Sequence, residues 1–162
     1  MFVYSIRSST VKFFGVLLVA VLAIVGIVVG GQGGVVSASS AATEIDYSGI
    51  KTKDERIAFI EQFGISVDKD SESEESFKMP ENFDRVILGY NELQKKQGLD
   101  LSKYAKKRVK RYTYKVENYD SDGEVYANLF VYRGKIVACD ISSADPEGFV
   151  IPLTTVEKAN LK

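Results

Sequence analysis

The chain has no histidine, no tryptophan, a single cysteine and three prolines among its 162 residues. Without histidine, neither a Ser/His/Asp nor a Cys/His nucleophilic arrangement can be assembled, and a His-containing zinc site is excluded as well. With Cys139 alone, no internal disulfide can form, so the folded part must be held by packing. An excess of positive charge is missing too. The 21 basic residues face 22 acidic ones, and two of the basic residues, Arg7 and Lys12, lie ahead of the first acid, Glu44. The chain from Glu44 onward carries a net charge near −3, which excludes a strongly basic nucleic-acid binder.

What is present in abundance is one long apolar run. Phe13 to Gly30, FFGVLLVAVLAIVGIVVG, contains no charged or polar side chain, and thirteen of its eighteen residues are Val, Ile, Leu or Phe. At ~1.5 Å per residue a helix of that length covers roughly 27 Å, close to the ~30 Å hydrocarbon core of a bilayer. A core helix of a globular domain is rarely apolar all the way round. The run therefore reads as a transmembrane signal anchor, with the bilayer as its partner. Arg7 and Lys12 place the amino terminus in the cytoplasm and the rest of the chain outside. The competing reading is secretion after cleavage near Ala38, because Val36-Ser37-Ala38 has the small-x-Ala form. The apolar region exceeds the roughly 7–15 residues of a signal peptide, which favours retention. The chain then divides into a cytoplasmic stretch 1–12, a span 13–30, a Gly/Ser/Ala-rich flexible linker 31–43, and an extracytoplasmic domain 44–162 of a size that suits one core. An external domain without disulfides suits a bacterial surface better than an animal ectodomain.

Within that domain, Thr52-x-x-Glu55 has capping-box spacing, and Ile57, Ile60 and Phe63, widened by Phe59, recur at helical intervals before Gly64. Ile65-Ser66-Val67 alternates like a strand, with Ser76 to Met79 as its returning partner in a hairpin. Between them Asp68 to Glu75 holds five acids and one Lys. This run lacks the spacing that bends a loop around a cation and reads as a solvated turn. Pro80 and Glu81 then suit the first turn of a second helix, whose apolar face is Phe83, Val86, Ile87, Tyr90 and Leu93. Lys95, Lys96 and Gly98 mark its end. From Arg108 the period becomes two: Tyr112, Tyr114 and Val116; after Asp122-Gly123, Val125, Ala127, Leu129 and Val131; after Arg133-Gly134, Val137, Cys139 and Ile141. Gly148 to Leu153 adds a short edge strand where Pro152 is tolerated. The fold class expected is α+β: two amphipathic helices on an antiparallel sheet with one apolar face, ending in a three-stranded meander.

Candidate sites are few, and no cofactor or metal is expected. Cys139 is in phase with Val137 and Ile141 and reads as a buried thiol. Asp140 is on the opposite phase, facing solvent, and a carboxylate hydrolase would need it paired with Glu124, Asp145 or Glu147 across roughly 5–10 Å. Carboxylates are too common here for that to carry weight, so an enzyme is not expected. The most informative polar stretch is Lys95 to Arg111, with eight basic residues against Asp100. Lys103, Lys106, Lys107, Arg108, Lys110 and Arg111 form a candidate anion-binding patch for an anionic envelope polymer, lipid headgroups or an envelope protein. Its plain alternatives are a solvated strand edge, or charge balance against the acidic run before Pro80.

Several blocks resemble one family. Lys53-Asp54-Glu55-Arg56-Ile57-Ala58-Phe59, Phe63-Gly64, Met79-Pro80-x-x-Phe83-Asp84 and Tyr90-Asn91-x-Leu93-Gln94-Lys95-Lys96-Gln97-Gly98 look like the domain of unknown function 4830. Arg111-Tyr112-Thr113-Tyr114, Ala127-Asn128-Leu129 and Asp140-Ile141-x-Ser143 continue the resemblance. It implies a small membrane-anchored or secreted bacterial protein without assigned activity, and no catalytic residue. The helix-plus-meander pattern also loosely resembles PepSY-type domains, which implies modulation of an extracytoplasmic protease or signalling protein as the alternative function. If the anchor is retained, the mature chain keeps its full 17.9 kDa. Intact-mass measurement of the native protein checks this, and a mature chain starting near residue 39 would refute it.

Overall fold

The computed structural model describes residues 45–145 and 147–162. The expected span 13–30, its flanks and the linker 31–43 lie outside these residues. Among the described residues, no helix is long and apolar enough to cross a membrane.

The described residues form two α-helices and five strands: α1 (Lys53–Glu61), β1 (Ser73–Lys78), α2 (Arg85–Lys95), β2 (Arg108–Lys115), β3 (Val125–Tyr132), β4 (Lys135–Ser143) and β5 (Val150–Pro152). The strands form one antiparallel sheet in the order β1-β2-β3-β4-β5, so each strand pairs with its neighbour in sequence. The α+β class holds.

Helix α1 starts as its capping box requires. The Glu55 amide donates to the Thr52 hydroxyl, and the Thr52 amide donates to the Glu55 carboxylate at 2.7 Å. Its buried face is Arg56, Ile57, Phe59 and Ile60. Helix α2 begins later than the position of Pro80 suggests. Asp84 is the N-cap, its carboxylate accepting from the Val86 and Ile87 amides, which leaves Pro80 and Glu81 in the preceding loop. A side-chain acceptor fixes a helix start more firmly than a proline, which merely tolerates one. At the far end Gly98 takes φ 79°, as the left-handed ending of a helix demands.

The expected hairpin of Ile65–Val67 with Ser76–Met79 does not form. Val67 makes one bridge, to Val116, while the returning segment belongs to β1, which pairs along its length with β2. Three alternating residues are too few to select a partner. The acidic run is likewise more than a solvated turn: a single 3₁₀ turn at Lys69–Ser71 leads into β1, and its glutamates find specific partners. Glu72 meets Arg56 of α1 at 2.9 Å, the Tyr114 hydroxyl donates to the same carboxylate, and the Arg56 guanidinium lies 3.7 Å over the Tyr112 ring.

Nor has the sheet a single apolar face. One side carries Tyr112, Tyr114, Ala127, Leu129, Cys139 and Ile141, packed with Ile57, Phe59 and Ile60 of α1. The other carries Val109, Phe130 and Ala138, packed with Tyr90 and Leu93 of α2. A bulge opposite Phe130/Val131 lets Val137 join Ala138 on the α2 side, so β4 is buried from Ile136 through Ile141. With a helix on each face, the central strands bury both phases.

The Arg56 and Glu72 side chains are only 7% and 21% exposed, whereas Lys69 and Glu61, also an ion pair, are 64% and 47% exposed. Glu72→Ala leaves a buried guanidinium uncompensated and is expected to destabilise the domain by about 3 kcal/mol. Glu61→Ala should cost no more than about 0.5 kcal/mol. Chemical denaturation of the two variants checks the contrast, and equal losses would refute it.

Candidate functional site

At one end of the α1-side face, an open cleft of about 630 Å³ lies between β2, the β3–β4 turn and the chain entering α1. Its lining holds Lys51, Lys106, Lys107, Arg108, Lys110 and Arg133, with Ser76, Tyr112 and Tyr132 between them and no acidic residue. Six cations around one concavity focus a positive potential into it.

Local backbone geometry places these side chains. Arg108 and Lys110 occupy alternate positions of β2 and so share the face that continues, further along, as buried Tyr112 and Tyr114. Lys106 sits in the left-handed region at φ 64°, and Arg133 at φ 49°. These are the non-glycine residues with positive φ among those described, and both line the cleft. For Arg133 the cause is the two-residue turn between Tyr132 and Lys135, where Arg133 and Gly134 (φ 76°) both take the positive φ of a twisted hairpin connection. A Cβ at Gly134 would also stand 3.3 Å from the Lys51 Cγ, a tight contact from which the lysine stem would have to shift slightly. The Ile50 amide donates to the Gly134 carbonyl at 2.9 Å and fixes that wall.

The six residues expected to bind anions are thus divided. Lys106, Lys107, Arg108 and Lys110 line the cleft; Lys103 is exposed on the Leu101–Tyr104 turn, outside the lining. Arg111 points to the opposite face, is mostly buried, and meets Glu75 at 2.7 Å, with its pKa lowered because burial penalises its charge. The reading of β2 as a strand edge is corrected as well, since β1 and β3 pair with it on both sides. Charge balance against the acidic run is real in part. Lys110 meets Glu74 at 2.6 Å across the β1–β2 register, its pKa raised by that contact, and Lys106 pairs with Glu81. No ion pair holds Lys51, Lys107, Arg108 or Arg133 among the described residues. Arg133 instead lies 5.3 Å from the Tyr132 ring centroid. Lys51 and Arg133 escaped the sequence reading because they stand far from residues 103–111 and look like a pre-helix residue and a turn residue.

A second polar cluster lies on the α2 side, where Asp140 is 3% exposed. The expectation that it faces solvent fails, because α2 covers that phase. The Tyr90 hydroxyl donates to Asp140 Oδ2 at 2.5 Å and Asn128 Nδ2 donates to Oδ1 at 2.8 Å. Burial nevertheless dominates and lifts the Asp140 pKa to about 6, against the lowering influence of these donors and of Arg111. The carboxylates considered as its partners are engaged elsewhere among the described residues: Glu124 meets Lys115 at 2.5 Å and Tyr126 at 2.6 Å, and Asp145 accepts from the Glu147 amide at 2.9 Å. Cys139 is buried as expected, and burial pushes its thiol pKa well up. Beyond the reach of β5, Gln94 Oε1 accepts from the Cys139 amide at 2.9 Å and Gln97 Nε2 donates to its carbonyl at 2.6 Å. Two glutamine side chains there stand in for a neighbouring strand, a role nothing in their spacing announces.

The chain belongs to the family described as Domain of unknown function (DUF4830), whose family model matches residues 59–141, a little over half of the 162 residues. No curated protein and no solved structure matches it. The matched span contains β1, α2, β2, β3 and nearly all of β4. With them it takes in five of the six basic residues of the cleft lining, Lys106, Lys107, Arg108, Lys110 and the turn residue Arg133, while Lys51 precedes it.

The raised folded pKa of Asp140 means that the native state binds a proton here more tightly than the unfolded chain. The stabilisation is fully present below about pH 4 and is lost as pH rises through about 6, a change of up to about 3 kcal/mol from this group. Asp140→Asn, which keeps the shape and a hydrogen-bonding partner for Tyr90, is expected to remove that slope. Unfolding midpoints measured across the range check it, and an unchanged slope in the variant would refute it.

Proposed function

We propose that this chain is a membrane-tethered, non-enzymatic binding domain held outside the cytoplasm, and that it takes anionic components of the cell envelope into the basic cleft. The observation that carries this reading is the lining itself: six cations, no acid, and four of the cations without an ion pair among the described residues. Like charges at close quarters cost free energy unless a counter-charge arrives, so an arrangement of this kind favours an anionic ligand. Placement at the membrane rests on Phe13–Gly30 and the basic residues ahead of it. The Gly/Ser/Ala-rich stretch 31–43, acting as a tether, would then hold the domain within roughly 20 Å of the bilayer on average, which keeps envelope ligands at high effective concentration. A binding role also accords with a chain that lacks histidine and whose Asp140 and Cys139 are buried.

The full-length chain in neutral detergent is expected to co-sediment with cell walls carrying anionic polymer at low ionic strength and to be released as salt rises. Replacement of Lys106, Lys107, Arg108 and Lys110 by Ser should abolish this, while Lys103→Ser should leave it intact. Sedimentation that survives the fourfold replacement, or no sedimentation at low salt, would overturn the reading.

A further inference from the structure

The cleft has two walls, and the way its charges are distributed over them narrows the ligand. Arg108 and Lys110 project from one strand face two residues apart, about 7 Å along β2. Lys51 and Arg133 stand on the opposite wall, one in the chain before α1 and one in the β3–β4 turn. A single small anion brings too few charges for the four unpaired cations. A ligand whose charges repeat every few ångströms brings more. The shape of each charged unit matters as well. A carboxylate is planar and offers its two oxygens in one direction. A tetrahedral phosphate offers oxygens to both walls at once, and it suits the mixture of point-like ammonium groups and forked guanidinium groups found here.

We infer that the cleft is a site for a linear chain of phosphates, whose successive groups bridge the Arg108–Lys110 wall and the Lys51–Arg133 wall. This rests on the anion-binding reading above and specifies its ligand class. Two of the cations are engaged before any ligand arrives: Lys106 by Glu81 and Lys110 by Glu74. Both glutamates approach from outside the lining, as internal competitors that the phosphates displace.

Titration calorimetry on the full-length chain in neutral detergent tests this, with linear tripolyphosphate, inorganic orthophosphate and polyglutamate as probes. Tripolyphosphate is expected to bind at least about tenfold more tightly than orthophosphate, and more tightly than polyglutamate at equal charge. Arg108→Ser and Arg133→Ser, one from each wall, should each weaken tripolyphosphate binding about fivefold. Glu81→Gln should strengthen it by about two- to fivefold, an outcome that an unfolded variant could not produce. Polyglutamate binding as tightly as tripolyphosphate would overturn the phosphate assignment while leaving the anion-binding reading in place. Binding of neither would overturn both. Tighter binding to micelles doped with anionic lipid than to tripolyphosphate would replace the phosphate chain with the membrane surface. An unchanged or weakened affinity in Glu81→Gln would remove the glutamates as competitors.

Discussion

The pairing of β2 between β1 and β3 is the constraint on which the rest depends. Its two-residue period sends Tyr112 and Tyr114 into the core beneath α1, and Arg108 and Lys110 out of the same face into the cleft. The opposite phase sends Val109 and Arg111 toward the α2 side. A slip of one residue would exchange every one of these positions, placing charged side chains in the core and aromatic ones in water. The register is held by charge as well as by hydrogen bonds. Glu75 stands opposite Arg111, and Glu74 reaches Lys110 from the neighbouring position.

Charge does different work at different depths in this domain. At the edge of the core, buried Arg56, Tyr112 and Tyr114 join half-buried Glu72 and tie α1 to the start of β1 through one cluster of hydrogen bonds and a ring contact. Deeper, Asp140 is enclosed by Tyr90, Asn128 and, more distantly, Arg111, and the cost of burying its charge exceeds what those partners return. At the surface, the cleft cations are left largely uncompensated. The acids of this chain are thereby sorted: some neutralise neighbours across the β1–β2 ladder, while none enters the lining.

That sorting is what supports the binding role proposed above. Asp140 and Cys139, whose pKa values burial raises, are enclosed, and the basic groups at the cleft are in contact with solvent. Strain points to the same place. Among the described residues, two that are not glycine adopt the left-handed region, each at an energetic cost, and both bring a basic side chain to the cleft.

Local signals were legible because their causes are local. The capping box of α1, the glycine endings, the three strands of the meander and the turn at Arg133-Gly134 each depend on residues a few positions apart. So did four of the basic residues of the cleft, which are neighbours in the chain. The partner of β1, the burial of Asp140 and the second wall of the cleft were not legible, because each depends on what lies across a gap of many residues. A carboxylate on the polar phase of a strand looks solvent-facing until a second helix covers that face. A lysine before one helix and an arginine in a distant turn carry no mark of their meeting. The amino-acid sequence by itself determined the two helices, the meander strands, the cap of α1, the glycine endings and the sign of the charge beside β2. Tertiary packing decided which charges were buried, which were paired and which were left open to a ligand, since burial and distance are set only when separate elements come together.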